Sequence, residues 1–269
     1  MQYQDQHLTV FESALYRTTT TVVSTPKFNL LVDPNWLPGE IKTIKKHLDA
    51  SGDKPLVLLF THGDYDHILG YKAFKPHLVI ASQAFIDSPD IEKRLQQIQT
   101  FDDEYYIKRD YPITYPVVDI PVRKDAQELV LGDCHITFYQ APGHTPDGVF
   151  TIVEPYGYFI AGDYLSNVEF PFVNDSSQAY LNTLRKVDTI LNQHRIERMI
   201  PGHGDLAHNT PEIQRRMLES VAYVEELRES IAGQKSFDLK KWISRYDFPI
   251  GLTKCHLENE VLVKKEMLK

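Results

Sequence analysis

The stretch FTHGDYDHILG, residues 60–70, places two imidazoles and two carboxylates within six positions, directly after the apolar run PLVLLF. A turn has no use for His62, Asp64, Asp66 and His67 together, whereas a divalent cation does, because imidazole nitrogen and carboxylate oxygen are its usual ligands. Three later loops deliver the same chemistry: His144 in APGHTPDG, Asp163 in FIAGDY and His203 in IPGHGD. Each follows an apolar, strand-like run and lies beside glycine, which lets the chain turn sharply at a strand end. Four imidazoles and three carboxylates cannot share a dry pocket as bare charges. Three carboxylates and a hydroxide would balance two divalent ions, each ion taking two histidines and a terminal carboxylate, with one aspartate bridging. The first loop alone could be a polar cap on the helix ILGYKAF. Four such deliveries along one chain point instead to a binuclear metal centre.

Alternating short strands and helices must hold these loops. HLTVFESALYRTTTTVVST and FNLLVD, the second stopping at Asp33-Pro34, read as early strands. PGEIKTIKKHL spaces Ile41, Ile44 and Leu48 at helical intervals, and PLVLLF (55–60) and HLVIAS (77–82) read as strands buried on both faces. ELVLGDCHITFYQ, VFTIVE, GYFIAG and RMI supply further strands. Asp175, three residues before Gln178, predicts a capped helix running to about Gln193. A longer helix opens at Thr210-Pro211 and closes at Gly233, with Ile213, Met217, Val221, Val224, Leu227 and Ile231 as its apolar stripe. Residues 88–116 change to charged and aromatic character, predicting a helical insertion and a candidate lid, with EKRLQQIQTFDDEYYIKRD as a solvated helical face. FTHGDY and FIAGDY echo each other as strand ends closing on Gly-Asp-Tyr.

The chain has 269 residues, 42% of them hydrophobic, enough to bury a large core in a single domain. A formal charge of −8 with scattered Lys and Arg argues against nucleic acid or anionic membrane as partners and leaves a small-molecule substrate. No stretch has the length of a membrane span, and MQYQDQHLTVFESALYR lacks a signal peptide's basic and apolar regions, so a soluble, cytoplasmic protein is expected. Cys134 and Cys255 stand far apart and read as buried thiols in a reducing compartment. Tyr65, Tyr164, Phe170 and Phe172 lie beside the strand ends and are candidates to line a substrate pocket; His208 follows the His203 loop.

The ordered motifs resemble the metallo-β-lactamase superfamily over most of the chain. THGDYDH (61–67) is similar to that family's His-x-His-x-Asp-His signature, Asp33 in LLVDP to its first motif, and His144, Asp163 and His203 to its third, fourth and fifth. The resemblance implies an α/β fold, a four-layer αββα sandwich, with His62, Asp64 and His144 on a first metal, Asp66, His67 and His203 on a second, and Asp163 bridging. Asp33 is expected to accept hydrogen bonds from the metal loops. CHLENEVLVKKE (255–266) is similar to the terminal His-x-x-Asn helix of many hydrolases of this fold. Two positions depart: Asp64 stands where most members have histidine, and Asp147 where glycine is more usual. The implied activity is hydrolysis of an ester-like bond, in a lactone, thioester or phosphodiester, by a bridging hydroxide, with Asp66 orienting the water and passing a proton to the leaving group. Zinc is the expected ion, with Asp64 moving relative preference towards Mn²⁺ or Fe²⁺. A di-iron redox protein of flavodiiron type and a non-catalytic metal-binding member are the competing readings; the chain leaves no room for the flavodoxin module that the former uses.

Overall fold

A computed structural model describes residues 1–233 and 235–268. Seven strands form one sheet in chain order: β1 (Tyr3–Gln4), β2 (Leu8–Glu12), β3 (Thr19–Ser24), β4 (Asn29–Val32), β5 (Leu56–Leu59), β6 (Leu78–Ser82) and β7 (Ile120–Val122). The β1–β4 portion is antiparallel and β4–β7 is parallel. Parallel neighbours need a crossover, and α1 (Pro38–Ala50) supplies the one between β4 and β5, burying Ile41, Ile44 and Leu48 as their spacing predicts. The second sheet runs β8 (Gln127–Leu131), β9 (Cys134–Gln140), β10 (Val149–Glu154) and β11 (Tyr158–Ile160) as an antiparallel meander, with β12 (Arg198–Ile200) parallel to β11.

The period-2 alternation of the strands builds the layers. Leu30, Val32, Val57, Leu59 and Ile80 of the first sheet meet Ile136, Phe138, Val149, Val153 and Ile160 of the second in one core between the sheets. The intervening residues face outward: Leu31, Leu58 and Phe60 onto helices α1, α2 (Tyr65–Ile68), α3 (Gln83–Ile86) and α4 (Ile91–Glu104). Phe150, Ile152 and Phe159 face outward onto α5 (Ser177–Gln193), α6 (Thr210–Ile231), α7 (Leu239–Ile243) and α8 (Pro249–Met267). The fold is therefore the four-layer αββα sandwich. Both cysteines are free and buried, Cys134 between the sheets and Cys255 on the inward face of α8. Among the described residues no helix is long and apolar enough to cross a membrane.

Two local expectations change, and one strand appears where none was read. α5 is capped by Ser176, whose hydroxyl accepts from Ala179 N at 3.1 Å, and Asp175 lies one residue outside it, because a cap must sit within two or three residues of the orphan amide it serves. β7, which contains Pro121, escapes a strand pattern because proline removes a ladder donor; it pairs only at the sheet edge, where that loss is tolerated. The charged run is not solvated throughout: α4 buries Arg94 and Ile98. Its exit is tied down by Arg109, which donates to both oxygens of Asp102 at 2.7 Å and to the Trp36 carbonyl at 2.6 Å.

Candidate metal centre

All seven predicted ligands converge where the two sheets meet at their strand ends. The echoing segments FTHGDY and FIAGDY end β5 in one sheet and β11 in the other and come into contact: a Cβ on Gly162 would lie 3.2 Å from the Thr61 side chain. The His203 loop is pinned to the first sheet by Thr19, whose N–H donates to Gly202 O at 2.7 Å and whose hydroxyl donates to Pro201 O at 2.6 Å. Glycine at 202 is a steric requirement, since a Cβ there would fall 2.0 Å from Asp163 Oδ1.

The donors form two groups that share Asp163. His62 Nε2 and His144 Nε2 lie 3.5 and 3.2 Å from Asp163 Oδ2, and Asp64 Oδ2 is 3.4 Å from His144 Nε2 and 3.9 Å from His62 Nε2. On the other side, Asp66 Oδ2 lies 3.5 Å from both His67 Nε2 and His203 Nε2; those nitrogens are each 3.2 Å from an Asp163 oxygen. A tetrahedral shell with bonds of about 2.0–2.1 Å has edges of about 3.4 Å, so this spacing fits an ion at the centre of each group. His62 Nε2, His67 Nε2, His144 Nε2 and Asp163 Oδ1 are also buried with no hydrogen-bonded partner among the described residues. Buried polar atoms without partners are costly, and a cation would satisfy all four.

Every imidazole is held by its other nitrogen. His144 Nδ1 donates to Phe172 O at 2.7 Å, His203 Nδ1 to Tyr16 O at 2.8 Å, and His67 Nδ1 to Asp33 Oδ2 at 2.9 Å. His62 Nδ1 lies 3.0 Å from the Thr61 hydroxyl, which itself donates to Asp33. Proton placement on Nδ1 leaves each Nε2 lone pair facing the centre, the arrangement a ligating histidine needs. Asp33 also accepts from Thr61 N at 2.9 Å, so it braces the first donor loop at both Thr61 and His67 with its own carboxylate oxygens. Asp64 occupies the N-cap position of α2 yet its side chain accepts no bond from the helix, in contrast to an acid that serves as a cap. Its carboxylate is turned to the imidazoles instead.

The electrostatics ask for positive charge. Burial opposes an imidazolium, yet Asp163 and Asp66 hold His67 well above the usual histidine value, and Asp163 with Asp64 does the same to His144. His203 is raised to about 10, against its burial, by Asp163, Glu169 and Asp66. Burial would raise Asp163, but His203, His67 and His62 depress it far below the carboxylate range, and His144, His62 and Arg94 depress Asp64. Protons on the rings and dications between them answer the same demand.

The four aromatic candidates divide. Tyr164 is 3% exposed, and its hydroxyl accepts from His144 N at 3.0 Å and faces the Pro142 carbonyl at 2.8 Å, so it braces the His144 loop. Phe170, 1% exposed, stacks on Tyr223 at 4.3 Å in the helical core. Tyr65, edge-on to Trp36 at 5.4 Å, and Phe172 are only partly buried and pack against the helical cores on opposite sides of the sandwich. His208 is exposed, against Tyr3 rather than the centre. Two residues were not legible as site residues. Arg94 reaches from α4 to within 3.9 Å of Asp64; Glu169 lies beside the ligands, where burial pushes its carboxyl up to about 7. A lone acid in NVEFPF and one arginine in a charged run carry no pattern that would reveal either.

The site is thus a pair of His/Asp groups, each able to hold a metal ion, at the strand ends of an αββα sandwich. The sequence profile described as "Metallo-beta-lactamase superfamily" matches residues 15–203, well over half of the chain, which belongs to that superfamily. Solved structures agree on the fold. A double mutant of the sec-alkyl sulfatase PisA1, an enzyme known from Pseudomonas sp., superposes with a TM-score of 0.71 at 11% identity over 98% of this chain and 50% of that one. A metallo-beta-lactamase family protein from Thermus thermophilus gives 0.63 at 17% identity, covering 97% and 93%. An archaeal superfamily protein from Sulfolobus tokodaii gives 0.56 at 15%, covering 98% and 100%. The chain thus spans about half the length of the sulfatase. No curated protein matches it in sequence.

Proposed function

We propose that the protein is a metal-dependent hydrolase of small ester-like substrates that uses a binuclear centre, with His62, Asp64 and His144 on one ion, Asp66, His67 and His203 on the other, and Asp163 between them. Two divalent ions bound there would supply a water of lowered pKa and Lewis-acid polarisation of a carbonyl or phosphoryl oxygen. The remaining work falls to the chain. Asp163 fixes the separation of the two groups, the Nδ1 anchors hold the four rings rigid, and Asp66 takes a proton from the water and returns it to the leaving group. Tyr65 and Phe172 flank the approach, and the 88–116 insertion borders it on the Asp64 side. Zinc is the ion we expect, with Mn²⁺ or Fe²⁺ gaining relative preference from Asp64. Two free, buried thiols support placement in a reducing cytoplasm.

The observation that carries this reading is donor spacing near a tetrahedral edge around two centres, with three ring nitrogens and one carboxylate oxygen otherwise unpartnered. Elemental analysis of protein purified without added metal tests it, followed by assay on lactones, thioesters, phosphodiesters and, because a structural relative is an alkyl sulfatase, sulfate esters. About two ions per chain and hydrolysis lost on chelation are expected. Saturation at one ion or fewer would refute the binuclear centre. Asp64, a hard oxygen 3.4 Å from His144 Nε2, favours a second reading, a di-iron redox protein. Bound iron with oxygen or peroxide turnover and no hydrolysis would select it.

A further inference from the structure

Two residues set this chain apart from the pattern its motifs otherwise resemble, Asp64 in place of histidine and Asp147 in place of glycine. A single side chain bridges them. Arg94 of α4 donates from Nη1 to Asp147 Oδ2 at 2.8 Å, and its Nη2 lies 3.9 Å from Asp64 Oδ1. Nη1 also donates to the Ser88 hydroxyl at 3.1 Å and the Tyr115 hydroxyl at 3.0 Å. Arg94 is 5% exposed and Asp147 1%, so each charge depends on the other, because an unpaired buried ion is unstable. The backbone is cut away for this contact. A Cβ on Gly63 would lie 2.1 Å from Arg94 Nη1 and 2.8 Å from Asp147 Oδ2, which makes glycine the residue that lets the guanidinium pass over the ligand loop.

We propose that Arg94 is a positioning residue for the first metal: clamped by Asp147, its guanidinium holds Asp64 Oδ1 so that Oδ2 alone faces His62 and His144. The proposal rests on the metal-centre reading above. A free carboxylate at this position has two alternatives, to offer both oxygens to the ion or to turn back and cap α2, whose N-cap position it already occupies. Arg94 blocks both. Asp64 then presents one donor atom in one place, as a histidine would, and the number of protein donors facing the first ion would stay the same despite the change of ligand. Because Asp147 offsets part of the Arg94 charge, the pair steers Asp64 while leaving most of the charge that it brings to the ion. The planar guanidinium suits this task, since it can face two carboxylates with separate nitrogens, which one ammonium cannot.

The experiment measures first-site affinity by chelator competition, and the Co²⁺ absorption spectrum, for Arg94→Met and Arg94→Lys in the native chain and in Asp64→His. In the native chain Arg94→Met is expected to weaken the first site about 10- to 100-fold, with a fainter cobalt spectrum as the carboxylate adds its second oxygen. Arg94→Lys falls between. With Asp64→His, which has no second oxygen to restrain, Arg94→Met should leave affinity and spectrum unchanged. Equal losses in both backgrounds would mean that Arg94 merely docks α4, and would overturn the proposal, as would no change in either. Should Arg94→Met fail to fold through the stranded Asp147 charge, Arg94→Met with Asp147→Gly removes that charge and should show the same background dependence. A native chain that binds no metal would refute the metal-centre reading itself, a different outcome from intact binding that ignores Arg94.

Discussion

Asn259 lies on α8, outside the ligand loops, yet the structure links it to His144 in three steps. Its Nδ2 donates to Pro171 O at 2.7 Å and Tyr223 OH at 3.0 Å, and its Oδ1 accepts from Val173 N at 2.8 Å. Between those two backbone groups sits Phe172, whose carbonyl accepts from His144 Nδ1 at 2.7 Å. Asn259→Leu keeps the shape and removes all three bonds, at about 1 kcal/mol each, and leaves two buried backbone groups unpaired, for a total of about 3–5 kcal/mol. In a chain of this size each kcal/mol moves Tm by about 2–4 °C, so thermal unfolding of metal-free Asn259→Leu should show Tm roughly 10 °C lower. A second effect should accompany it. With the Phe172 carbonyl released, His144 loses its fixed tautomer and direction, and first-site metal affinity should fall about 10- to 100-fold, while the Asp66, His67 and His203 site changes little. Chelator competition with each site followed separately reads this. A large loss of stability with unchanged first-site affinity would refute the transmission through Phe172, and no loss of stability would refute the hydrogen-bond network itself.

Asp163→Asn keeps the shape of the shared ligand but removes its charge, so metal content should fall at both sites, and any hydrolysis should fall by at least about 100-fold, since loss of a mere supporting partner costs up to that much; normal occupancy of both sites would displace Asp163 from the bridge. Asp64→His should shift competition at the first site from Mn²⁺ or Fe²⁺ towards Zn²⁺ and leave the second site alone, and unchanged selectivity would remove Asp64 from the ligand set. Metal binding at about pH 7.5 should release protons, because His67, His144 and His203 are held charged in the metal-free chain; calorimetry giving the same heat in buffers of different ionisation enthalpy would contradict this. The sign for stability follows from the same shift. His203, raised from the usual value near 6.5 to about 10, stabilises the metal-free fold fully below pH 6.5 and loses that contribution as pH climbs through 10, measured as a falling urea midpoint.

The candidate donors, their order and their placement at strand ends were legible in the sequence, because each motif is local: an apolar run of period 2 or continuous burial, then a glycine turn, then a His or Asp. The helices α1 and α6 were legible for the same reason, their apolar spacing and terminal Pro and Gly being short-range signals. Only the tertiary structure decided what lies across the centre from each loop. That Arg94 turns inward rather than to solvent, that Tyr164 braces the His144 loop and Phe170 fills the helical core, and that Asn259 reaches the His144 anchor are all contacts between segments distant in the chain. Such contacts leave no periodicity behind, since a single arginine or aromatic reads the same in either setting. Burial and hydrogen-bond partners are properties of packed neighbours, and neighbours brought together by sheet stacking and helix docking exist only once the whole chain has folded.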